Sequence, residues 1–184
     1  FDGYIPSNYE TYYPKLDVNS VEETWWKQLL QKINANLLEN NSWSGSTICY
    51  TTYDNVDCSK TSSFIYRYRQ LKESGFFEKN TVDTIFVFGG TNDSWCDAPL
   101  GKMQFFAWEE KDLFKVLPAI CYFAYVLKAD LPDTEIIFIL NNTLKQEIKD
   151  CIEEASKRYG FRFVRLMNIL QELFCFFPFR ISLL

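Results

Sequence analysis

The 184-residue chain contains no histidine. Histidine is the side chain whose unperturbed charge change falls near neutral pH, and it is a common metal ligand. Its absence excludes a histidine general base within this sequence and every histidine-ligated metal site. Positive charge is also in the minority: 19 Lys and Arg stand against 24 Asp and Glu, for a net charge of −5. No basic stripe follows a phosphate backbone, so nucleic acid is not an expected partner. The six cysteines, Cys49, Cys58, Cys96, Cys121, Cys151 and Cys175, include no C-x-x-C pair. That argues against zinc ribbons and thioredoxin-like chemistry, and neither a metal nor a cofactor is expected. Most of these cysteines are expected to be free and buried, with Cys121 and Cys151 on helix core faces; the even count leaves disulfides open. Long apolar runs are missing too. Residues 173–184 are apolar, but Pro178 and Arg180 interrupt them and the stretch is short for a membrane span. The opening Phe1-Asp-Gly-Tyr-Ile-Pro6 has no Met, basic patch or apolar run, so no signal peptide is read there. The expectation is a cytoplasmic protein, with secretion or the periplasm as the alternative if a leader precedes it.

What is present suits one folded domain. Hydrophobic residues make up 47% and charged residues 23%, enough for a sizeable core under a polar surface. The 17 Phe and 11 Tyr read as bulky core rather than as an aromatic binding platform. Residues 1–16, rich in Tyr, Pro, Asn and Gly, read as loop. Ser20-Val-Glu-Glu23 has the spacing of a capping box, and a helix is expected after it through Ile33. Residues 36–40 are a short strand candidate, 41–60 a polar turn-rich stretch, and 62–73 a second helix closed near Gly75. Residues 84–88 form a continuous β-rich apolar run of the kind buried in parallel sheets. Residues 91–106 read as a long loop and 109–128 as a helix in which Pro118 makes a kink or begins a new turn. A strand at 135–140, an amphipathic helix at 143–159 and a strand at 161–166 complete the pattern. Such alternation predicts an α/β fold with a mostly parallel sheet and helices on both faces. Ligand sites in such folds lie beyond the carboxyl ends of the strands, which singles out residues 41–46, 89–95 and 141–143.

Two of these stretches carry chemistry. In Asn40-Asn-Ser-Trp-Ser-Gly45-Ser-Thr, a glycine in a tight loop can present its backbone N–H with no side chain in the way. In Phe88-Gly-Gly-Thr-Asn-Asp-Ser-Trp95, glycines after a buried strand are followed at once by the carboxamide of Asn92. Each alone also reads as an ordinary turn. In this order, they resemble the second and third sequence blocks of the SGNH hydrolases, Asn40-x-x-x-x-Gly45 and Gly90-Thr-Asn92-Asp93. Phe1-Asp-Gly-Tyr-Ile-Pro6, Val21-Glu-Glu-Thr-Trp-Trp26, Asn41-Ser-Trp-Ser-Gly-Ser-Thr-Ile48 and Phe88-Gly-Gly-Thr-Asn-Asp-Ser-Trp95 together resemble a bacterial branch of GDSL-like lipases and acylhydrolases, over about residues 1–166.

The resemblance implies a three-layer, flavodoxin-like sandwich in residues 1–166, followed by an apolar tail at 167–184. It implies hydrolysis of a carboxylic ester, with a small ester or acylated carbohydrate as substrate and removal of an acetyl group as one form of it. The Gly45 N–H and the Asn92 side chain would be oxyanion-hole donors. Asn40, Gly90 and Asp93 would support the loops, with Asp93 bracing its own loop, and Trp43 and Trp95 would wall the substrate pocket. The family's nucleophile stands in Gly-Asp-Ser after its first strand, and its base in Asp-x-x-His near the carboxyl end. The present sequence contains neither motif, so the first strand, the nucleophile and the base are expected to be absent from it. Ser44, Ser46 and Ser94 are alternative nucleophiles only with Lys or a carboxylate as base, and the nearby loops offer Asp54, Asp57, Asp93 and Asp97. Asp93 with Asp97 is the nearest carboxylate pair for glycoside chemistry, and Cys96 the nearest thiol. A binding module or inactive fragment that keeps the fold is the second reading. A missing central strand would also leave sheet edges at Leu37 and Ile85, to be filled by the apolar tail or covered by self-association.

Overall fold

The computed structural model describes residues 20–166. The expected opening loop, the Phe1–Pro6 block, Cys175 and the apolar tail lie outside the described residues. The chain divides into two compact units, with the boundary between Ser44 and Gly45.

In the first unit, a short 3-10 turn at Val21–Glu23 precedes helix α1, Trp25–Ile33. The Ser20 hydroxyl makes no capping bond, so the expected capping box is not formed. The helix instead begins after Thr24, whose hydroxyl donates to the Val21 carbonyl at 2.6 Å. Asn34, left-handed at φ 52°, ends it. The strand expected at residues 36–40 is not formed. Adjacent leucines in a strand point to opposite faces and need cover on both. Leu37 and Leu38 are 43% and 44% exposed, so neither face has it.

The second unit holds the sheet. Helix α2, Phe64–Glu73, starts where the Ser63 hydroxyl accepts the Tyr66 N–H at 3.2 Å, and a short helix α3, Phe76–Lys79, follows Gly75. Strand β1, Thr84–Val87, runs parallel to β2, Glu135–Leu140, with Ile85 opposite Ile136. Strand β3, Arg162–Arg165, lies parallel on the other side of β2, with Phe138 opposite Phe163. The order β1-β2-β3 makes β1 the end of the described sheet. Helix α5, Val116–Asp130, connects β1 to β2, and helix α6, Gln146–Tyr159, connects β2 to β3. The fold is α/β, a parallel three-stranded sheet with helices around it, as the alternation of elements predicts.

The core follows from the period of the strand. Ile136, Phe138 and Leu140, two apart, are each about 1% exposed. Phe123 of α5 meets the Phe138 ring edge-on at 6.5 Å, and Phe161 stacks on it at 4.7 Å. Burial of this kind is worth roughly 1.5–3 kcal/mol per large apolar side chain. The helix expected over 109–128 is in fact a 3-10 turn, Glu110–Phe114, followed by α5. Pro118 falls in the first turn of α5, where its missing N–H has no intrahelical partner to lose. The expected loop at 91–106 also needs correction: it opens with helix α4, Thr91–Trp95, entered from Gly90 at φ 90°.

Candidate active site at the carboxyl edge of the sheet

The chain leaving β1 turns at once. A Cβ on Gly89 would stand 2.5 Å from the Phe64 ring, so glycine here permits close approach of backbone to helix α2. The left-handed Gly90 then directs α4 across the carboxyl end of the sheet. The segment after β2 joins it: the Lys145 N–H donates to the Ser94 hydroxyl at 3.1 Å, and Asn141 Nδ2 lies 3.5 Å from Thr91 Oγ1.

Two neighbouring residues of α4 tie this turn to the segment that begins at Gly45. Asn92 Nδ2 donates to the Ser46 carbonyl at 3.0 Å. Asp93 is fully buried and accepts the Ile48 N–H at 2.9 Å on Oδ2 and the Cys49 N–H at 3.1 Å on Oδ1. Asp93 therefore braces the Ile48–Cys49 backbone some 45 residues upstream, not merely its own loop. Burial, which disfavours the ionised form, raises its carboxyl pKa above the usual range; the two amides act in the opposite direction.

Gly45 has φ 76°, and nothing lies within 4 Å of where its Cβ would be. Among the described residues its N–H has no hydrogen-bond partner. The carbonyl of the next residue, Ser46, accepts from Asn92, so the carboxamide is tied to the segment that carries the bare Gly45 N–H. Two such donors at an accessible edge can receive an anionic oxygen. Asn40 belongs to the first unit, where its Oδ1 accepts the Ser42 hydroxyl at 2.6 Å; Trp43 is half-buried there. Trp95, at the end of α4, is 61% exposed.

Two of the three alternative nucleophiles are buried and already hydrogen-bonded. The Ser46 hydroxyl is buried and accepts from Arg67 Nη2 at 3.1 Å, and the Ser94 hydroxyl is taken by the Lys145 amide. Asp97 is on the surface in a 2.8 Å ion pair with Lys145, which lowers its pKa, whereas Asp93 is inside; they form no acid–base pair. Burial raises the Cys96 thiol. Among the described residues no cluster of Cys, Asp or Glu is arranged to hold a metal ion.

Three residues near the donors were not anticipated. Arg67 braces Ser46 from α2, donating also to the Ser62 carbonyl at 2.9 Å. Tyr53 donates its hydroxyl to Asn92 Oδ1 at 2.9 Å, and Thr52 donates to the Gly45 carbonyl at 3.4 Å. The visible signal for the last two was Asp54-Asn55, a turn pair flanked by strand-forming residues.

The fold and these bonds define an α/β protein in which the turn after β1 is tied to the Gly45–Cys49 segment at the carboxyl edge of a parallel sheet. The sequence profile of the GDSL-like lipase/acylhydrolase family matches residues 1–173. The chain belongs to that family. It is similar to a crystal structure from Bacteroides uniformis named as a GDSL-like lipase, with 42% identity, a TM-score of 0.73, and coverage of 82% of this chain and 66% of that one. A second, from Bacteroides ovatus and named in the same way, shows 36% identity, a TM-score of 0.75, and coverage of 84% and 70%. The chain thus spans about two thirds of the length of these structures. No curated protein matches it. Among the described residues no helix is long and apolar enough to cross a membrane.

Proposed function

We propose that the chain carries the oxyanion-stabilising part of a carboxylic-ester hydrolase site, with Gly45 N–H and Asn92 Nδ2 as donors. The observation that carries this reading is the tie between Asn92 Nδ2 and the Ser46 carbonyl, which anchors the Asn92 carboxamide to the residue that follows Gly45. Attack on an ester carbonyl moves negative charge onto its oxygen. A preorganised donor aimed at that oxygen is worth roughly 3–4 kcal/mol in the transition state. One Nδ2 hydrogen is held by Ser46, and the second is available to the substrate. Trp95, exposed at the end of α4, would stand beside the bound acyl group; an acylated carbohydrate is the substrate class of this reading. Gly90 would shape the turn that presents Asn92, and Asn40 its own loop, where it accepts the Ser42 hydroxyl.

The 184 residues contain no histidine and no Gly-Asp-Ser, and their buried serines near the donors are already engaged. The nucleophile and base of this reading are therefore assigned to residues outside this sequence. The second reading is a non-catalytic binding module or an inactive fragment that keeps the fold.

Hydrolysis of p-nitrophenyl acetate by the chain as given, and by the product of the whole open reading frame around its coding DNA, tests the proposal. The chain alone is expected to stay at background. The longer product is expected to turn over in a serine-reagent-sensitive way, and Asn92→Ala is expected to lower its kcat by about 10²–10³-fold. Serine-reagent-sensitive turnover by the chain alone would refute the assignment. So would a reading frame with no Gly-Asp-Ser upstream and no histidine downstream.

A further inference from the structure

A side-chain carboxamide is a poor fixed donor unless both of its ends are held. The terminal torsion of asparagine has a broad, roughly two-fold profile, so one hydrogen bond leaves the amide plane free to swing. At Asn92 both ends are engaged. The Ser46 carbonyl, which can only accept, decides that Nδ2 faces it. The Tyr53 hydroxyl, donating to Oδ1, anchors the opposite end. With the two anchors in place, the remaining Nδ2 hydrogen has one direction.

Tyr53 is itself presented by a rigid device. Thr51 and Asp57 form an antiparallel bridge, the Thr52 N–H donates to the Val56 carbonyl at 3.0 Å, and the Val56 N–H donates back to Tyr53 at 3.2 Å. Between them Asp54 and Asn55 take φ of 58° and 57°. The three residues Tyr53–Asn55 close the hairpin, and the Tyr53 carbonyl, accepting the Val56 N–H across the two left-handed residues, fixes the turn. Asp and Asn tolerate this region better than other non-glycine residues. The neighbouring Thr52 hydroxyl reaches the Gly45 carbonyl from the same hairpin. One small hairpin thus contacts both proposed donor residues.

We propose that Tyr53 is a positioning residue for the oxyanion donor Asn92, held in place by the Thr51–Asp57 hairpin. This rests on the reading of Asn92 given above. Tyr53 is 41% exposed, so Tyr53→Phe removes the hydroxyl without opening a cavity in the core.

The test has a spectroscopic arm and a kinetic arm. In the chain as it exists, the Asn92 side-chain amide is followed by 1H–15N NMR and assigned by its disappearance in Asn92→Ala. Tyr53→Phe is expected to move the two Hδ2 signals toward free-carboxamide values and speed their exchange with solvent, while Tm changes by no more than about 3 °C. In the longer product of the preceding test, Tyr53→Phe is expected to lower kcat about tenfold with KM within about twofold. It is expected to add nothing on an Asn92→Ala background. An unchanged Asn92 amide in Tyr53→Phe, or kinetic effects that simply multiply with those of Asn92→Ala, would overturn the positioning role. A shifted amide in a protein that hydrolyses no ester would uphold the positioning role and defeat the ester-hydrolase reading instead.

Discussion

Replacing Asp93 with alanine should be among the more damaging single changes in the described part of the chain. Its carboxylate is the acceptor for the Ile48 and Cys49 amides, and all three residues are 0% exposed. Alanine would leave two buried N–H groups with neither protein nor water to accept them, at about 1–3 kcal/mol each. A loss of about 4 kcal/mol is expected, a large share of the roughly 5–15 kcal/mol that holds an ordinary domain together. For a chain of this size that is a Tm drop of about 8–16 °C. Urea unfolding and thermal melts followed by circular dichroism measure it. Asp93→Asn should lose less, because Oδ1 alone lies 3.1 Å from both amides and could keep both bonds, with part of the loss retained because Nδ2 would replace the oxygen that accepts the Ile48 N–H at 2.9 Å. The pH dependence has a definite sign. Burial raises the carboxyl above its ordinary value of 3.8, so the folded chain holds this proton more tightly than the unfolded one. The stability contributed by the group is whole below about pH 3.8 and is lost as pH rises through the raised folded value. Stability of the wild type relative to Asp93→Asn should therefore fall as pH increases from 4. A loss below about 1 kcal/mol in Asp93→Ala would refute the bracing argument; a wild-type advantage that grows with pH would refute the assignment of burial as the dominant influence.

Gly89→Ala should lower Tm through overpacking of about 1–3 kcal/mol, because the new methyl would meet the Phe64 ring at 2.5 Å and 2.7 Å. Phe64→Leu in the same chain should recover part of the loss, and an unchanged Tm in the single variant would show that the ring yields freely. Brief iodoacetamide treatment of the native protein should label Cys96 ahead of Cys49, Cys58, Cys121 and Cys151, which are at most 1% exposed. Because burial raises the Cys96 thiol above 9.0, its labelling rate in peptide mass spectra should still be climbing at pH 9; a plateau at lower pH would contradict this.

The sheet could be read from the sequence wherever burial imposed an unbroken apolar run. Residues 135–140 are such a run and become β2 with the bounds expected; the runs around Ile85 and Val164 are one residue longer in sequence than in structure at one or both ends. The stretch around Leu37 failed for a physical reason. Its apolar residues satisfy strand composition, but a strand exists only by pairing, and no local pattern reports whether a partner is there. Helix α4 was missed because Thr-Asn-Asp-Ser is turn chemistry by composition. Its single helical turn is held from outside, by bonds from Asn92, Asp93 and Ser94 to residues about 45 to 51 positions away.

The site was legible to the same depth. A glycine and an asparagine in the right order could be singled out locally, but the roles of two adjacent acidic-amide residues could not be separated by spacing. Successive residues on a helix point about 100° apart, so α4 turns Asp93 inward and leaves Asn92 half-exposed. The inward residue holds the backbone of the Gly45 segment, and the outward one lies against the carbonyl that this backbone carries. The position of the proposed donor is therefore set by the same packing that sets stability. Tyr53 enters from another part of the chain, 39 residues from Asn92, through a hairpin whose turn residues were visible but whose direction was not. What local sequence offers is the chemistry of the donors; their aim comes from three long-range bonds to Ser46, Ile48 and Tyr53, which only the folded chain brings together.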